Sequence, residues 1–131
     1  MIAIDTNVLV RLITGDDRKQ QKAAMAYLGA HCSADEPAWV SPVVAAETIW
    51  VLQRAYGYSR EQIASAVERL LDTVELLFEQ SECVRAALAG YRSGAGFADA
   101  LLAESTIARG CRTIVTFDAD AAKRMNAFTL L

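Results

Sequence analysis

The sequence runs to 131 residues, of which 53% are hydrophobic and 22% charged, with a formal net charge of −3. A chain of 131 residues buries roughly two-thirds of its unfolded surface, so one compact domain over residues 1–131 is expected. The charge content and the two prolines argue against disorder, and the lack of any basic block argues against indiscriminate nucleic-acid binding.

No basic segment stands before Ile2, and the first apolar run stops at Asp5, so no secretory leader is expected. The longest apolar stretch, residues 42–52, is broken by Glu47 and falls short of the ~20 residues that span a bilayer. Cys32, Cys83 and Cys111 are odd in number and form no C-x-x-C pair. They read as reduced packing residues of a cytoplasmic protein, without a zinc site.

Taken in order, residues 1–5 read as a buried strand that ends at Asp5. Asp5 and Thr6 cap a short helix with Val8, Leu9, Leu12 and Ile13, and Gly15 ends it. Asp17 starts a second helix with Gln20 as capping-box partner and a stripe of Ala23, Ala24, Tyr27 and Leu28. Trp39 and Val40 form a second strand. Ser41-Pro42 places a hydroxyl at the N-cap and proline at the first helical position, and that helix runs to about residue 56. Ser59 with Gln62 caps the next, whose face is Ile63, Val67, Leu70 and Leu71. A third strand is expected at 74–78 and a helix at 81–92.

Ser93-Gly94-Ala95-Gly96 follows a helix and lacks a lysine, so it is a turn and not a phosphate loop. Residues 97–108 are helical, Gly110 stops them, and 113–116 form a fourth strand. A short helix at 119–124 and a last strand at 128–131 complete the chain. Strands separated by helices predict an α/β fold, a three-layer α/β/α arrangement with a parallel sheet between helices.

In such a sheet the carboxyl ends of the strands share one edge, where ligands bind. Asp5, Ser41 and Asp118 stand at strand ends. Glu47 is the only acid between Pro37 and Arg60, among Val43, Val44, Ala45, Ala46, Ile49 and Trp50. Asp99 is the only acid between Glu82 and Glu104. Asp5 and Asp118 also suit a helix cap, and Asp99 a helix dipole, worth ~0.3–1 kcal/mol. Glu47 lies past the capping positions, and a carboxylate on an apolar face costs several kcal/mol unless paired. Two charges 4 Å apart repel by ~4 kcal/mol at an effective dielectric of 20. No lysine or histidine flanks these acids, so the natural neutraliser is a divalent cation. Oxygen-only ligands select Mg²⁺ or Mn²⁺, which activate water and stabilise phosphoryl charge.

Asp5-Thr6-Asn7, the isolated Glu47, Phe97-Ala98-Asp99-Ala100-Leu101-Leu102-Ala103 and Thr116-Phe117-Asp118, in that order, resemble the acidic motifs of the PIN domain. The opening Ile4-Asp5-Thr6-Asn7-Val8-Leu9-Val10-Arg11 and the short chain are most similar to the VapC toxins of bacterial toxin–antitoxin pairs. The resemblance implies a five-stranded parallel sheet and a Mg²⁺- or Mn²⁺-dependent endoribonuclease acting on RNA. It also implies a homodimer and a small antitoxin whose C-terminal segment lies across the active-site groove. Carried over by position, Asp5, Glu47, Asp99 and Asp118 are the catalytic and metal-binding acids. Thr6, Asn7, Ser41 and Thr116 take secondary polar roles, and Asp120 assists or substitutes for Asp118.

The remaining chemistry-bearing residues read more plainly. His31 is a surface or helix-end residue. Trp39, Trp50, Phe97 and Phe117 read as core or interface rather than base-stacking platforms. Arg11 and Arg92 read as solvated charge. Two other readings compete with the nuclease: another Mg²⁺-dependent phosphoryl-transfer enzyme, and a non-catalytic binding module on the same scaffold. A phosphatase would want an aspartate where Asn7 stands, and a receiver domain would want an acidic pair at the first strand. Intact acids at all four positions speak against the bare scaffold.

Overall fold

At Asp5 the chain turns from an extended segment into a helix, and the same strand-to-helix step recurs at Ser41 and Asp118. The computed structural model describes residues 1–131. Close packing divides them into two units, Met1–Ser81 and Glu82–Leu131.

In the first unit, residues 2–4 run alongside Trp39: its amide donates to Ile2 O at 2.7 Å, and the Ile4 amide donates to Trp39 O at 3.0 Å. Helix α1 (Thr6–Thr14) follows and ends at Gly15, whose φ of 60° is the left-handed turn glycine adopts without strain. Helix α2 (Arg18–His31) packs on α1, and strand β1 (Ala38–Val40) leads into helix α3 (Pro42–Arg54). Helix α4 (Arg60–Leu71) and strand β2 (Leu76–Phe78) close the unit, with β2 parallel to β1. Helix α3 packs on both α1 and α4. Its buried residues are Ala45, Thr48, Ile49 and Leu52, the i, i+3, i+4, i+7 spacing of one helical face.

The second unit holds helix α5 (Ser81–Arg92, whose first residue closes the first unit), helix α6 (Phe97–Arg109), strand β3 (Ile114–Thr116), helix α7 (Ala119–Arg124) and strand β4 (Phe128–Leu130). Strands β3 and β4 are parallel, and Ala103, Ala121 and Phe128 form a small core with Ile114 and Met125 against it. Tyr91 and Phe97 meet edge to face at 6.3 Å, joining α5 to α6 across the Ser93–Gly96 turn.

The α/β class holds, and every expected helix is present. One expectation changes. Residues 1–5 are not a buried strand: only Ala3 pairs, with Trp39, and of the five only Ile4 is buried. The strands are three residues each, and their hydrogen bonds form one parallel pair in each unit. At the caps, Ser59 and Gln62 form the reciprocal box, with Gln62 N donating to Ser59 Oγ at 3.1 Å and Ser59 N to Gln62 Oε1 at 2.9 Å. Asp17 caps α2 alone, because the Gln20 side chain is taken by Arg11. No helix is long and apolar enough to cross a membrane.

Candidate functional site

The Ala3–Trp39 and Val40–Phe78 pairings set Asp5, Ser41 and Glu79 level at the carboxyl ends of three parallel lines of backbone. Each is used differently. Asp5 is exposed and accepts one bond, from the Thr6 amide at 2.7 Å, which is the first helical N–H and not the usual second or third. Ser41 is a conventional cap, its Oγ accepting from Val44 N at 3.2 Å. Glu79, an acid the sequence reading passed over, accepts from the Trp39 indole N–H at 2.9 Å. Its position directly after the Leu76–Phe78 strand was the available signal.

Thr6 lies just beyond Asp5 with a buried Oγ1 that has no hydrogen-bond partner. A buried hydroxyl without a protein partner costs ~1–3 kcal/mol, and Thr6 Oγ1 carries that cost directly beside Asp5. Asn7, also exposed, lines a groove of about 400 Å³ between α1 and α2 with Val8, Arg11, Gln20, Ala23 and Ala24.

Glu47 is not the buried carboxylate that its apolar neighbours suggested. It is exposed and makes no hydrogen bond or ion pair. Those sequence neighbours spread round the helix, and the buried face of α3 points away from it. The energetic argument from burial therefore lapses. What remains is a solvated carboxylate without a cationic partner, on a helix packed against the one that Asp5 starts.

Arg11, read as surface charge, is committed elsewhere. Its Nε donates to Gln20 Oε1 at 2.7 Å, and its Nη1 to Asp16 Oδ1 at 3.2 Å and Tyr56 Oη at 3.1 Å. The Tyr56 hydroxyl donates to Asp16 Oδ2 at 2.6 Å, and Thr14 Oγ1 to Asp16 Oδ1 at 2.8 Å. These bonds, Tyr56 first, then Thr14 and the Arg11 charge, hold the Asp16 carboxyl below its ordinary range.

In the second unit Asp118 caps α7 in the usual way, accepting from Ala121 N at 3.1 Å. Its own amide donates to Thr116 Oγ1 at 3.0 Å. Asp120 is exposed one position into the helix. Asp99 stands at the third position of α6, behind Gly96, which offers no side-chain cap. Asp99 is half-buried and unpartnered, and its Oδ2 lies 3.6 Å from where a Cβ on Gly96 would sit. The carboxylate thus folds back over the helix start, where the dipole favours it.

Each unit carries two of the four predicted acids. Neither unit by itself gathers three or more carboxylate, thiol or imidazole groups into a cation site. The donor chemistry still suits a hard divalent ion: every candidate atom is oxygen, Asp5, Glu47 and Asp99 lack basic partners, and the Thr6 hydroxyl is an open donor. The cysteines offer nothing of this kind. All three are free, Cys111 exposed and the others half-buried.

Carboxylates where strands give way to helices stand at the edge where α/β chains bind ligands. The sequence pattern of the PIN domain matches residues 2–126, nearly the whole chain, and the protein belongs to the PIN domain family. That places it among nucleases that as a class depend on divalent metal ions. No curated protein is similar enough to count as a match.

Proposed function

We propose that this chain is a metal-dependent endoribonuclease acting as the toxin of a toxin–antitoxin pair, a single PIN domain over residues 1–131. In this reading the short strands belong to one five-stranded parallel sheet, and Asp5, Glu47, Asp99 and Asp118 together hold Mg²⁺ or Mn²⁺. When bound, such an ion polarises a phosphoryl oxygen and lowers the pKa of a coordinated water. Thr6, through its open hydroxyl, and Asn7, beside the groove, orient what binds next to Asp5. Ser41, Thr116 and Asp120 fix the local backbone or assist. The similarity of the Ile4–Arg11 opening to VapC toxins supports the toxin assignment, a homodimeric, cytoplasmic form, and a small antitoxin as partner.

One observation carries the enzymatic part: Asp5 and Glu47 are solvated carboxylates without basic partners, on two helices packed together. No cationic side chain occupies either one, so both are available to a cation from solvent. The test is cleavage of total RNA by wild type and Glu47→Gln, with and without chelator. A carboxylate that would help hold such an ion would support several kcal/mol of rate enhancement, so Glu47→Gln should lose at least about a hundredfold in rate while staying soluble. Expressed alone, wild type should arrest bacterial growth and Glu47→Gln should not. Full cleavage or full arrest by the variant would remove Glu47 from the site.

A further inference from the structure

Helix α3 leaves one stripe in water. Val43, Glu47, Trp50 and Arg54 follow one another at i, i+4, i+7 and i+11, so they line a single face. All four are exposed, Trp50 by 61% and Val43 by 65%. The Arg54 guanidinium carbon lies 5.5 Å from the centroid of the Trp50 ring. Arg54 makes no hydrogen bond or ion pair, so its recorded contact is with the indole. The indole contributes nothing to the buried face of α3. An exposed tryptophan braced by a free cation, one helical turn from a candidate metal carboxylate, calls for a ligand.

We infer that Trp50, braced by Arg54, is a stacking subsite for an unpaired base of single-stranded RNA whose phosphate lies toward Glu47. The inference rests on the nuclease reading of Glu47 and names the substrate feature that this part of the site holds. An indole face accepts any base, and a guanidinium beside it suits the adjoining phosphate. Glu47 and Trp50 are three residues apart, about 4.5 Å along the helix axis, the scale on which a nucleotide separates phosphate from base. A protein partner fits less well. The apolar content of the stripe is two side chains parted by a carboxylate, whereas stable protein interfaces bury ~800 Å² a side with an apolar, charge-depleted centre. A base-paired duplex also fits poorly, since its bases are already stacked on one another.

The probe is an uncleavable 2′-O-methyl oligonucleotide, titrated in chelator against the intrinsic fluorescence of the chain, whose two tryptophans are Trp39 and Trp50. Wild type should show saturable quenching. In Trp50→Leu, which keeps Trp39, the quenching should vanish and binding weaken about tenfold, the scale of one lost base stack. Trp50→Phe should restore most of the affinity, and a duplex of the same sequence should not compete. In steady-state cleavage of a single-stranded substrate, Trp50→Leu should raise KM about tenfold with kcat within about twofold. Glu47→Gln should lose cleavage and keep the quenching. That arm separates the two ideas: cleavage retained by Glu47→Gln would remove Glu47 from the nuclease site, whatever Trp50 does. Unquenched wild type, or unchanged Kd and KM in Trp50→Leu, would overturn the subsite. So would a fall in mass by light scattering in Trp50→Leu with RNA affinity intact, because the stripe would then be a contact between protein chains.

Discussion

Asp5 in the first unit and Asp118 in the second do the same local job in different ways. Each ends an extended segment and starts a helix. Asp118 accepts from the third helical amide and takes a further bond from its own backbone N–H to Thr116, so its carboxylate is held as part of the turn. Asp5 accepts only from the first amide, and beside it lies the unsatisfied Thr6 hydroxyl. A helix start optimised for stability looks like the second. The first leaves lone pairs open in two adjacent residues, which is what a ligand site requires and a cap does not.

The largest consequence is in metal response. A ligand that binds only the folded state at a hundred times its Kd adds ~2.7 kcal/mol of stability. Millimolar Mn²⁺ should therefore raise the melting temperature of wild type by several degrees over chelator. Asp5→Asn should lose most of that response and Asp118→Asn a smaller part, because Asp118 is seated as a regular third-amide cap, whereas Asp5 meets only the first amide and has the unsatisfied Thr6 hydroxyl beside it. Equal responses in all three proteins would erase the contrast between the two aspartates.

Next in size is the capping energy itself, read in chelator. Removing a true cap costs ~1 kcal/mol, so Asp118→Ala should fall by about that in a urea titration. Asp5→Ala should lose less than about half as much, its single bond being to the first amide. A reversed order would make Asp5 the structural residue and Asp118 the open one.

Smallest is the effect of Asp16, an acid of the first unit that does have partners. Its folded carboxyl is held below the ordinary value of 3.8, first by Tyr56. The ionised form therefore favours folding above that value, and the benefit disappears as pH falls through the lowered folded value. Tyr56→Phe should melt slightly lower than wild type at neutral pH, with the gap narrowing below pH 3.8. A gap that stayed constant down to pH 2 would assign the loss to packing.

Helix starts were legible because their chemistry is local: Ser41-Pro42, Ser59 with Gln62, Asp5 and Asp118 all cap where the sequence placed them. The Asp17 box failed for a non-local reason, since Arg11 on the preceding helix takes the Gln20 amide oxygen. Glu47 was misread by confusing neighbours in sequence with neighbours in space. Of the apolar residues around it, Ala45 and Ile49 turn inward, while Val43 and Trp50 share its outer face. Of the aromatic residues read as core or interface, Phe97 sits in the core, while Trp50, 61% exposed, and Phe117, 84% exposed, lie outside it. The first strand was overextended because a continuous apolar run says nothing about how many partners the backbone will find.

Helix α2 carries a consequence of its own. It is 14 residues long and buries none of them; Ala24 and Leu28 are half-covered, and Met25 and Tyr27 are exposed. Tyr27 stacks on His31 of the same helix at 4.2 Å, a contact that supports the helix without attaching it to anything. Its polar ties to α1 are Arg11 Nε to Gln20 Oε1 and Gln21 Nε2 to Leu12 O, the latter at 3.4 Å. An element so lightly anchored opens at a fraction of the free energy needed to unfold the whole. In native-state amide exchange its protons should be released long before those of α3, whose buried face must be exposed to solvent first. The wall of the groove beside Asn7 is therefore the part of the first unit that rearranges most cheaply around whatever enters it.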